Sequence, residues 1–88
     1  TLDINAIPLL KEKTHLPVIV DPSHGIGVRR HVAPVALAGI MAGADGIIME
    51  AHQTPEKAFS DGQQTLSFGE SKNLFHKMRE TFKFRENL

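Results

Sequence analysis

At 88 residues the chain is long enough for one small domain and no more. Ten basic residues balance ten acidic ones, and no apolar run approaches the roughly 20 residues that span a bilayer, so neither a nucleic-acid binder nor a membrane protein is indicated. Cysteine is absent and no basic segment with an apolar core opens the chain, which excludes a disulfide framework, shows no export signal and makes the cytoplasm the expected location.

Thr1 to Lys13 reads as a helix. Asp3 or Asn5 can cap it, Pro8 falls in or near the first turn, and Ile4, Ile7, Leu9 and Leu10 form its apolar stripe. Thr14 to Pro17 is a turn. Val18-Ile19-Val20 is then a β-branched strand, apolar on both faces as parallel strands inside α/β proteins are. It breaks at Asp21-Pro22-Ser23-His24 into a turn at Gly25-Ile26-Gly27.

A second helix is expected over about Arg29 to Ala42, regular from His31 or Val32 because Pro34 belongs in the opening turns. Gly43 is its natural C-cap. Gly46 to Glu50 reads as a second strand, so strand, helix and strand form a βαβ unit with parallel pairing and a right-handed crossover. Ala51 to Thr65 is a loop with a Ser60-Asp61-Gly62 turn. Ser67-Phe68-Gly69-Glu70 has the capping-box spacing, hydroxyl first and carboxylate three residues on. The final helix repeats Phe68, Leu74, Phe75, Met78 and Phe82 on one face, with Phe84 to Leu88 expected to fray.

Two strands and three helices leave both edges of the sheet unpaired, and an isolated two-stranded parallel sheet is a poor independent fold. The expected fold is therefore α/β: the C-terminal portion of a larger protein, most simply the last two βα units, with the preceding helix, of a (β/α)₈ TIM barrel. Residues 1–88 would then be an incomplete part of a single barrel domain.

The carboxyl ends of parallel strands are where ligands sit in such architectures. Adjacent strands lie about 4.8 Å apart, so His24 after the first strand and Glu50 at the end of the second come within reach of one ion. Asp61, eleven residues past Glu50, can fold back over the same mouth. One imidazole and two carboxylates suit a borderline divalent ion such as manganese, iron, cobalt or zinc. Each residue also has a plainer reading: His24 as a turn residue satisfied by backbone, Glu50 paired with a basic residue, Asp61 as turn chemistry. His52 shares the face of Glu50 if the strand continues, and contacts an anionic substrate or only rims the loop. Arg29 and Arg30 stand at a helix N-terminus, where the dipole disfavours cations; an anionic partner or plain solvation would account for them. His15, His31 and His76 carry no pattern beyond surface positions.

Four stretches carry a resemblance: Thr1-Leu-Asp-Ile4, Leu16-Pro-Val-Ile-Val-Asp-Pro-Ser-His24, Ala42-Gly-Ala-Asp-Gly-Ile-Ile-Met-Glu-Ala-His52 and Glu56-Lys-Ala-Phe-Ser-Asp-Gly-Gln-Gln64. Together they resemble the 3-deoxy-D-arabino-heptulosonate 7-phosphate (DAHP) synthases of the type related to 3-deoxy-octulosonate 8-phosphate synthase. The resemblance weakens after about Lys72, and Asp-Pro-Ser-His favours the heptulosonate branch. It implies a (β/α)₈ barrel and a metal-dependent condensation of phosphoenolpyruvate with erythrose 4-phosphate that releases phosphate, the first step of the shikimate pathway to the aromatic amino acids. It implies His24, Glu50 and Asp61 as catalytic metal ligands, manganese being the first choice, and a homo-oligomer at full length. The family's cysteine ligand and main phosphate contacts lie on earlier strands. Val28 stands where many relatives carry a basic residue, which weighs against a phosphate role for Arg29-Arg30. The alternatives are an inactive truncated remnant or interaction fragment, and an octulosonate-type enzyme.

Overall fold

The computed structural model describes residues 3–22, 29–52 and 66–88. Among them run α1 (Ala6–Lys13), β1 (Ile19–Val20), α2 (Arg29–Ala42), β2 (Gly46–Ile47) and α3 (Phe68–Glu86). The two strands pair in parallel and in direct neighbourhood, Ile19 opposite Gly46 and Val20 opposite Ile47. Both strands are shorter than their apolar runs, but the ladder continues beyond each end. Asp45 N–H donates to the Val18 carbonyl and Ile48 N–H to the Val20 carbonyl, both at 2.8 Å.

The helices build one covered face of this sheet. Val20 is buried and meets α2 at Gly39, where an added Cβ would touch the Val20 methyls at 3.4 and 3.5 Å. The small residue is what lets helix and strand approach so closely. The opposite face is open: Ile19 is 50% and Ile48 57% exposed. Burial on both strand faces, expected from the apolar runs, is therefore met on one face only. Two apolar clusters fill the covered side. Val32, Ala36, Leu66 and Leu74 join α2 to α3, while Ile7, Val20 and Ala44 join α1 to β1, and Ile47 packs against both.

Local chemistry sets the helix ends. Ser67 Oγ accepts from Glu70 N–H at 3.1 Å and Glu70 Oε1 accepts from Ser67 N–H at 2.8 Å, completing the capping box. Gly43, at φ 118°, ends α2 with the reciprocal pair Gly43 N–H to Ile40 C=O and Ala44 N–H to Gly39 C=O, both at 3.0 Å. Pro34 lies inside α2, which extends back to Arg29, so the Arg30 carbonyl has no helical N–H to accept from at that position.

Three expectations change. α1 begins at Ala6, and Asp3 Oδ1 accepts from Asn5 N–H in a turn before it, while Asn5 makes no side-chain cap. Of its stripe, Ile7 is buried and Ile4 packs beside it, but Leu9 and Leu10 are exposed. In α3 only Leu74 of the expected stripe is fully buried, Phe68 and Phe75 lie exposed, and the helix continues through Phe84 to Glu86.

Candidate functional site

Parallel pairing brings the carboxyl ends of β1 and β2 to one edge of the sheet, and the chemistry-bearing residues follow from there. Asp21 and the buried Pro22 leave β1; Ile48, Met49 and Glu50 continue from β2. Glu50 and His52 are half-buried. Their backbone is held from outside the βαβ unit: Leu66 forms a parallel bridge with Ala51, donating its N–H to the Glu50 carbonyl at 2.9 Å and accepting from His52 N–H at 2.8 Å. Leu66 is itself anchored in the α2–α3 cluster. The segment carrying Glu50 is thus clamped between β1 on one side and Leu66 on the other.

His24 and Asp61 lie outside the described residues, so the expected convergence of three ligands is described only at Glu50. Among the described residues no three histidine, cysteine, aspartate or glutamate side chains gather as a metal group. Of the three expected ligands the described residues hold only Glu50, whose carboxylate is an oxygen donor of the kind a borderline divalent ion takes.

Sequence reasoning missed two residues that shape this edge. Asp45 Oδ2 accepts from Val18 N–H at 2.8 Å and from Lys11 Nζ at 2.7 Å, tying the start of β2 to the entry of β1 and to α1. These two hydrogen bonds hold the Asp45 carboxyl below its ordinary value of 3.8, the Lys11 ammonium bond first. Leu66 stands just past the loop and is the other. Neither has a local signal, since the partners of Asp45 stand 27 and 34 positions away.

The sequence model of the DAHP synthetase I family matches residues 1–87. The chain belongs to that family. It is 50% identical over 80 residues to a phospho-2-dehydro-3-deoxyheptonate aldolase of Thermotoga maritima, covering 91% of this chain and 24% of the relative. A 2-dehydro-3-deoxyphosphooctonate aldolase of Desulfosudis oleivorans is 38% identical over 76 residues, covering 74% of this chain and 27% of the relative. The crystal structure of the Thermotoga DAHP synthase superposes with a TM-score of 0.88 over 91% of this chain and 24% of that one. A truncated form of the Thermotoga 3-deoxy-D-arabino-heptulosonate 7-phosphate synthase matches equally, at a TM-score of 0.88, over 30% of its chain. This DAHP synthetase family chain therefore spans about a quarter of the length of the relatives it matches. Among the described residues no helix is long and apolar enough to cross a membrane.

Proposed function

We propose that the chain supplies the last two βα units of a (β/α)₈ barrel in a DAHP synthase, joining phosphoenolpyruvate to erythrose 4-phosphate and releasing phosphate. The observation that carries this reading is the 50% identity and 0.88 TM-score to the Thermotoga enzyme across 91% of the chain. The open face at Ile19 and Ile48 supports the barrel, because a parallel sheet is ordinarily covered on both sides.

In this reading His24, Glu50 and Asp61 hold a divalent ion, manganese first. When bound, the ion supplies Lewis acidity toward the sugar-phosphate aldehyde or the water that attacks C2. Glu50 needs a fixed position for this, and the Leu66 clamp on its carbonyl provides one. His52, on the same backbone segment, rims the mouth toward the anionic substrates. The condensation forms one carbon–carbon bond, from C3 of phosphoenolpyruvate to the aldehyde carbon. Water adds at C2 and the phosphate departs, which makes the step effectively irreversible. By the family resemblance, the full-length enzyme would be a homo-oligomer, with the cytoplasm as its location.

The test is a chimera in which this chain replaces the matching quarter of the Thermotoga relative. Condensation with phosphate release is the expected result, and Glu50→Gln in the chimera should lower bound metal and activity while His76→Ala changes neither. A folded chimera without turnover overturns the reading in favour of an inactive remnant. The octulosonate relative motivates one more arm. An eight-carbon product less the three carbons of phosphoenolpyruvate requires a five-carbon aldehyde phosphate, and a preference for that sugar moves the chain to the octulosonate branch.

A further inference from the structure

A cavity of about 160 Å³ opens between the start of α2 and the first half of α3. Ala33, Leu66 and Leu74 make it apolar at the bottom, while Arg30, Asn73, Lys77 and Glu70 stand around it. Glu70 Oε1 is committed to the Ser67 backbone through the capping box. Neither Arg30 nor Lys77 is ion-paired to a described residue. Arg30 also sits in the first turn of α2, where the helix dipole favours an anion in front of it.

We propose that this cavity binds a small organic carboxylate, its anionic end between Arg30, Lys77 and the Asn73 amide and its apolar end on Ala33, Leu66 and Leu74. A phosphate has no apolar part for the bottom of the cavity, whereas an organic acid carries both an anionic and an apolar end. The size suits a one-ring or short branched acid. The proposal does not rest on the enzyme reading, although Leu66 belongs both to this cavity and to the clamp on Glu50.

The experiment is an NMR titration of the folded chimera described above, ¹⁵N-labelled only in the segment this chain supplies, with benzoate, benzamide and inorganic phosphate. Benzoate should produce saturable shifts at the amides of Ala33, Leu66, Asn73 and Lys77. The double variant Arg30→Gln, Lys77→Gln should bind it about tenfold more weakly or worse, as expected for lost charge-assisted hydrogen bonds. Both positions are exposed, and the dispersion of the variant's spectrum reports its fold. No saturable shift with benzoate overturns the proposal. So does equal binding by the double variant, equal binding of neutral benzamide, or tighter binding of phosphate than of benzoate.

Discussion

Arg85, in the last turn of α3, donates from Nη1 to the Ile40 carbonyl at 2.7 Å, and from the same nitrogen to the Ala44 carbonyl at 2.7 Å. These oxygens belong to the end of α2 and the turn after it, where the dipole is negative, and the Ile40 carbonyl accepts from Arg85 as well as from Gly43 N–H. The guanidinium also lies 4.6 Å from the centre of the Phe82 ring, one turn back on its own helix. A segment that would fray by composition is held by a cation closing another helix.

Replacing Arg85 by Met keeps an unbranched stem but removes both donors. We expect a loss of about 1.5–3 kcal/mol, the usual worth of hydrogen bonds to a charged group, read from urea unfolding followed by circular dichroism. Lys83→Ala is the comparison. Its pairing with Glu80 at 3.5 Å is exposed, and its removal should cost less than about 0.5 kcal/mol. Equal effects of the two substitutions would show that the Arg85 contacts carry no stability.

The Asp45 junction should make the chain acid-sensitive. Its folded-state pKa is lowered, first by the Lys11 hydrogen bond and then by Val18 N–H. The ionised form is therefore favoured by folding, and its contribution is complete above the unfolded-state value of 3.8 and disappears as pH falls through the folded value. Asp45→Asn retains an acceptor for Val18 but cannot titrate, so its stability should vary less with pH below about 4 than the parent's. Parallel unfolding curves for parent and variant across that range would sink this assignment.

Ser71 and Ser67 stand four residues apart at the start of α3 and should respond in opposite directions. Ser67→Ala removes the capping hydroxyl and should cost about 1 kcal/mol. Ser71 is 5% exposed, and its Oγ has no hydrogen-bond partner among the described residues. Alanine there relieves an unsatisfied buried hydroxyl and improves helix propensity, so Ser71→Ala should be neutral or stabilising by up to about 1 kcal/mol. Thermal midpoints of the two single variants decide it, and a large loss for Ser71→Ala would reveal a partner for the hydroxyl.

The chain by itself should not turn over phosphoenolpyruvate and erythrose 4-phosphate. It spans 24% of the Thermotoga relative, and condensing two phosphorylated substrates depends on holding both in register, a contribution of about 7–11 kcal/mol to the barrier. Phosphate release by the purified chain above that of its His24→Ala variant would contradict this expectation.

What the sequence determined by itself was whatever depends on neighbours a few positions apart. The capping box at Ser67 and Glu70, the glycine end of α2 at Gly43 and the βαβ order are of this kind, because their hydrogen bonds close within three to five residues or follow from chain reach. That Glu50 follows β2 was legible from the same strand pattern, while His24 and Asp61 lie outside the described residues. Tertiary structure alone decided the rest. Whether Leu9, Leu10, Phe68 and Phe75 are covered depends on what packs beside them, and hydropathy is blind to that. Asp45 and Arg85 look like ordinary surface charges in sequence, yet their partners stand 27 to 45 positions away. The clamp of Leu66 on Glu50 and His52 likewise exists only once the chain has folded back, since a backbone bridge is indifferent to the side chains that signal it.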